Sequence, residues 1–151
     1  MKAPLKIVAA AVCGLLLGLP AAQAGDMPIS QFINIGTAAN ELTVHPQELR
    51  LKVGETYRFV VSNPSQQIHV VAAPELAAAA TTVDLMIVGQ KLGVDAPSLD
   101  ISTGITLQPG QMILWTFTPL GEGIYKFGCD DPVHAAAGMH TMVRVGKEEM
   151  L

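Results

Sequence analysis

Apolar positions recur with a period of two over most of the chain, as expected of strands that bury one face. Leu42 and Val44 alternate with polar neighbours, and Leu49, Leu51 and Val53 do the same in Glu-Leu-Arg-Leu-Lys-Val. Gly54-Glu55 turns the chain, and residues 56–61 run back until Asn63-Pro64 stops them. This predicts a hairpin that feeds a strand at His69. Residues 106–117 repeat the theme, with a Pro109-Gly110 turn leading into an apolar strand that holds the single tryptophan, Trp115. Residues 121–127 and 141–145 read as two more strands flanking a loop. Several short strands separated by Gly and Pro turn signals predict an all-β, antiparallel two-sheet sandwich.

One stretch departs from that pattern. Ala77 to Ala80 is a strong helix-forming run, and Leu85, Ile87, Val88 and Leu92 continue an apolar pattern up to Gly93. A short helical insertion is therefore expected around residues 75–92, with Met86 as core filler. Residues 94–104 read as loop. Residues 25–40 read as a loosely attached N-terminal extension, with Phe32-Ile-Asn-Ile35 as an edge strand, ahead of a domain spanning residues 41–147.

The first residues have a different character. Lys2 and Lys6 precede an apolar run from Ile7 to Leu19, and Pro20-Ala-Ala-Gln-Ala24 ends in the small-x-small pattern of a signal-peptidase site. Residues 1–24 are thus expected to be a signal peptide cleaved after Ala24, which makes the protein periplasmic. The run is too short for a spanning helix of about 20 residues, so no permanent membrane insertion is expected. Val12 is a poor residue before an acylated Cys13, and the apolar run continues past it, which argues against lipid attachment. Cleavage removes Lys2 and Lys6 and no acid, taking the formal charge from −4 to −6 and leaving 127 residues, enough for one domain. No basic stripe is present, so nucleic acid is not an expected partner.

Cleavage also leaves a single cysteine, Cys129. Exported proteins use cysteines mostly in disulfide pairs, and a lone one in an oxidising compartment is exposed to damage unless something holds it. Its neighbours supply that something. Gly-Cys129-Asp-Asp-Pro-Val-His134-Ala-Ala-Ala-Gly-Met139 places a thiolate, an imidazole and a thioether on one loop between two strands. A second imidazole, His69, is available where an earlier strand-like run breaks. Two His, one Cys and a weak axial Met are the donor set of a mononuclear copper electron-transfer centre. His140 follows Met139 directly and should point away if Met139 points in. Met142 is an alternative axial donor. His45 reads as a surface histidine, and Asp130 and Asp131 as solvated loop residues.

On these residues the chain resembles the cupredoxins, in particular the plastocyanin/azurin-type blue copper proteins. Residues 123–139 follow that family's G-x-Y-x-F-x-C-x-x-P-x-H-x-x-x-G-M loop, and the likeness extends over about residues 41–145. It implies a Greek-key β-sandwich with one type 1 copper per chain, held by His69, Cys129, His134 and Met139. Two positions depart from the family pattern: Val70 stands where an Asn often follows the first histidine, and Thr141 where a Gly is usual.

The resemblance implies a one-electron carrier with no catalytic residues, in transient contact near His134 with redox proteins such as a cytochrome or a terminal oxidase or reductase. Pro132, Val133, Ala135, Ala136 and Ala137 would form an uncharged docking face there. A copper-binding protein for tolerance, storage or delivery is the alternative, with His140, Met142 and Met150 as a second soft set. The chain has no Met- or His-rich tract to support it. A copper oxidase or nitrite reductase would need further copper sites and domains. A zinc-loaded interaction module is disfavoured by the thioether in the fourth place.

Overall fold

A computed structural model describes residues 27–89 and 99–147. In chain order the elements are β1 Ile29–Ile35, β2 Val44–His45, β3 Glu48–Lys52, β4 Tyr57–Ser62, β5 His69–Ala72, α1 Pro74–Ala78, β6 Ala80–Ile87, β7 Ile105–Leu107, β8 Met112–Pro119, β9 Gly123–Cys129, α2 Pro132–Ala136 and β10 His140–Gly146. They form two sheets, ordered β2-β1-β4-β8-β6 and β3-β10-β9-β5-β7. This is the all-β Greek-key sandwich expected. Most pairings are antiparallel, but β1 runs parallel to β4 and β3 parallel to β10. Among the described residues no helix is long and apolar enough to cross a membrane. The expected signal peptide and its cleavage point lie outside the described residues.

The period-two pattern puts the alternate residues Phe59, Val61, Ile113, Trp115, Val143 and Val145 into the space between the sheets. Its centre is aromatic: Phe59 stands edge-on to Trp115, Phe117 and Phe127, and Trp115 stacks on Phe117 with centroids 4.0 Å apart. The Trp115 indole N–H is satisfied by Thr82 Oγ1 at 3.0 Å.

Three local expectations differ from the structure. The segments around Gly54 and Gly110 do turn the chain, with positive φ at each glycine, but β3 and β4 lie in opposite sheets, as do β7 and β8. They are sheet-to-sheet crossings rather than hairpins, because each strand buries its own apolar face against the other sheet. Among the described residues of the expected insertion the helix is α1 alone, which starts with Pro74 in its first turn; residues 90–92 lie outside the described residues. The run after it is β6, where the β-branched Thr81, Thr82 and Val83 and the pairing with the apolar β8 outweigh the alanines. Met86 consequently faces outward and is exposed, not core. Finally, the N-terminal segment is not loosely attached: β1 lies between β2 and β4, and Ile33 and Ile35 are fully buried.

Candidate metal centre

Each candidate donor is set by a strand end or by the loop between β9 and β10. His69 opens β5, Cys129 closes β9, His134 lies in α2, and Met139 immediately precedes β10. Hydrogen bonds clamp these pieces together. The Cys129 N–H donates to the Met139 carbonyl at 2.9 Å, and the Met139 N–H donates to the His134 carbonyl at 3.1 Å. The Asp130 N–H donates to the Val70 carbonyl at 2.7 Å, which ties the His69 strand to the Cys129 strand through backbone alone. Val70 therefore needs no side-chain amide to make that link. Gly128 permits β9 and β10 to close beside the thiol, since a Cβ there would meet His140 Cα at 2.6 Å.

His69, Cys129 and Met139 are buried, and His134 is half-buried. His69 Nδ1 lies 3.2 Å from His134 Nδ1, and Cys129 Sγ lies 3.4 Å from His134 Nδ1 and 3.8 Å from His69 Nδ1. A triangle with these edges has a centre about 2.0 Å from each corner, close to the roughly 2.0–2.3 Å of imidazole and thiolate bonds to a first-row ion such as zinc. The three side chains thus converge as a trigonal metal site. Among the described residues they are the only group of three or more His, Cys, Asp or Glu side chains so placed.

Burial, with His134 beside it, lowers the pKa of His69 below the usual imidazole value, and nearby Asp131 opposes the shift. A neutral imidazole with a free nitrogen is the form that binds a metal. One soft thiolate and two imidazoles in a buried trigonal set suit copper.

Residues 32–146 match the family described as copper binding proteins, plastocyanin/azurin family. The chain belongs to that family. Copper is accordingly the cofactor of this cupredoxin, and the His69, Cys129 and His134 group fits one type 1 ion. No curated protein matches the chain by sequence. Among solved structures, a dithionite-reduced auracyanin from Roseiflexus castenholzii is 24% identical, with a TM-score of 0.53, over 77% of this chain and 95% of that one. Auracyanin A from Chloroflexus aurantiacus, described as a "blue" copper protein, is 21% identical, with a TM-score of 0.52, over 79% and 99%. A multicopper oxidase from Campylobacter jejuni is 12% identical, with a TM-score of 0.61 over 83% of this chain. The chain spans about a third of that oxidase's length, 31%.

The remaining sequence candidates fall outside the convergent group. His140, Met142 and Arg144 occupy the alternate positions of β10 from the buried Thr141, Val143 and Val145. His140 lines a cleft with Glu75, Lys126 and Gly128. His45 is exposed, with Thr43 Oγ1 3.3 Å from its Nε2. Asp130 is solvated as expected, but Asp131 has a defined part: its Oδ1 accepts the backbone N–H groups of Val133 and His134, at 3.0 and 3.2 Å, as the N-cap of α2. The Asp131-Pro132 pair, an N-cap followed by proline at the first helical position, was the available sequence signal. Thr141 is fully buried and its Oγ1 has no hydrogen-bond partner among the described residues.

Proposed function

We propose that the protein is a periplasmic one-electron carrier, exported after cleavage behind Ala24, in which His69, Cys129, His134 and Met139 hold a single type 1 copper. The observation that carries this reading is the convergence of two Nδ1 atoms and one Sγ in a pocket where His69 and Cys129 are only 1% and 5% exposed. When bound, copper supplies the Cu(II)/Cu(I) couple, which takes one electron from a donor and passes it to an acceptor. The protein's share is to keep the donors in one arrangement in both states and to exclude water. The clamps between Cys129, Met139 and His134, and between Val70 and Asp130, do the first; burial does the second. Met139, fully buried where the loop meets β10, would supply the fourth, weaker thioether donor.

Electrons would cross at the half-buried His134. Beside it in the chain Val133 is 71% exposed, and Pro132, Ala135, Ala136 and Ala137 are exposed as well. This uncharged rim suits a small, rapidly released contact with a cytochrome or a terminal oxidase or reductase. The deciding experiment is the visible spectrum of the mature protein with one equivalent of Cu(II), repeated with Cys129→Ser. An intense thiolate-to-copper band that vanishes in the variant supports the reading; a colourless wild type overturns it.

A further inference from the structure

Behind His69, on the side away from Cys129 and His134, lies a chain of buried polar groups that the copper reading does not use. Asn63, Ser65 and His69 are all 2% exposed or less. The Asn63 Nδ2 donates to the carbonyls of Gln67 and Leu107, at 2.7 and 3.1 Å. Carbonyls only accept, so the amide orientation is fixed and Oδ1 must face Ser65. There it accepts the Ser65 N–H at 3.0 Å and the Ser65 hydroxyl at 2.7 Å.

A hydroxyl has one proton to give. With that proton on Asn63 Oδ1, or turned to the Gln67 carbonyl at 3.3 Å, Ser65 Oγ can only accept from its remaining neighbours. These are the Gln67 N–H at 3.2 Å and His69 Nε2 at 2.9 Å. Turning the proton to His69 Nε2 instead would leave the Ser65 and Asn63 oxygens facing each other at 2.7 Å with no hydrogen between them. The arrangement therefore favours a hydrogen on His69 Nε2, and in a neutral imidazole Nδ1 is then bare. That bare nitrogen is the one aimed at Cys129 Sγ and His134 Nδ1. Gly36 closes the other side: a Cβ on it would come within 3.0 Å of both His69 Nε2 and Ser65 Cβ.

We propose that Ser65, oriented by Asn63, is a positioning residue that locks His69 in its Nε2–H tautomer, so that Nδ1 is presented to the metal before any metal arrives. This rests on His69 being a copper ligand. Partners of this kind behind a ligating histidine commonly change metal affinity by about 10- to 100-fold when removed. Without the Ser65 hydroxyl, a hydrogen on Nε2 would be buried and unpaired, whereas a hydrogen on Nδ1 could reach Cys129 Sγ or His134 Nδ1. The ring is then expected to populate the wrong tautomer, and copper must displace that proton.

The test is long-range proton–nitrogen NMR of the copper-free protein, wild type and Ser65→Ala, paired with Cu(II) affinity by chelator competition. The wild type is expected to show His69 as Nε2–H alone. Ser65→Ala is expected to show an Nδ1–H population and an affinity lower by about 10- to 100-fold. Nδ1–H in the wild type overturns the proposal and needs no variant to be observed, so it decides the matter even if Ser65→Ala does not fold. A folded Ser65→Ala in which either tautomer or affinity is unmoved also overturns it. The tautomer is read without metal, so a failure here is distinct from a failure of the copper reading, which would appear as a colourless wild type.

Discussion

Asp131 Oδ1 accepts the backbone N–H of His134 at 3.2 Å, so the helix carrying the most solvent-accessible of the three convergent donors is held at its start by a single carboxylate. α2 is only five residues long and buries none of them, so little else stabilises it. Replacing the cap should release the turn without disturbing the core. Asp131→Ala is expected to cost about 1 kcal/mol in the copper-free protein, and Asp131→Asn or Asp131→Ser substantially less. The check is the urea midpoint of each variant, with copper-binding stoichiometry as a second readout. An Asp131→Ala protein as stable as the wild type would show that the cap is dispensable.

Thr141 offers a test of opposite sign. Its hydroxyl is buried in β10, two residues beyond Met139, with no partner among the described residues, and an unpaired buried polar group costs on the order of 1–3 kcal/mol. Valine has nearly the same shape and nothing to satisfy. Thr141→Val is therefore expected to raise stability by about 1 kcal/mol, seen as a higher urea midpoint at unchanged slope. A loss of stability would mean that an internal water satisfies the hydroxyl.

The Cys129–His134 half of the convergent group was legible because a thiol and an imidazole, with the Pro that shapes their turn, lie in one short segment, where spacing sets which side chains can meet. His69 was legible for a related reason, standing where Asn63-Pro64 ends one strand and another begins. Sheet membership was not legible. Gly54 and Gly110 carry the same signal whether the next strand pairs with the last or crosses to the other sheet, and only long-range burial decides. The Ala77–Ala80 run does begin in α1, but extending the helix past it misled, because local propensity favoured helix while β8 offered Thr82, Leu85 and Ile87 a strand to pair with. The Ser65 contact was hidden as well, since a serine four residues before a histidine is common. It gains meaning only once Asn63 is seen to fix its proton.

The burial that shields His69 also makes the copper-free protein sensitive to acid. Its folded pKa lies below the usual imidazole value, because burial and the neighbouring His134 disfavour the charged ring, against the pull of Asp131. An unfolded chain takes up a proton near pH 6.5 while the folded His69 stays neutral. The unfolded state then binds more protons, so stability is fully present above that pH and is lost as the pH falls towards the depressed folded value. For one group the slope cannot exceed about 1.4 kcal/mol per pH unit. Urea midpoints at pH 7.5, 6.5 and 5.5 should fall in that order, and less steeply in His69→Gln. A midpoint that rises on acidification would contradict the shift.

The rim around His134 makes the last prediction, which concerns rate and not binding of the metal. Ala136 is exposed and sits in α2, two residues after His134, among side chains with no charge. A charge placed there would have to be desolvated in any close encounter, and it would leave the buried donors untouched. Ala136→Glu and Val133→Glu are therefore expected to keep the visible spectrum of the copper-loaded wild type while slowing electron exchange with a redox partner. Roughly tenfold is the scale if each buried carboxylate costs the encounter about 1.4 kcal/mol. Ile124→Glu, on the outer face of β9 away from that rim, is the control and should leave the rate unchanged. Stopped-flow exchange with a small cytochrome at fixed ionic strength separates the cases. Equal rates in all three variants would remove the docking face from the account, and equal slowing would reduce the effect to net charge.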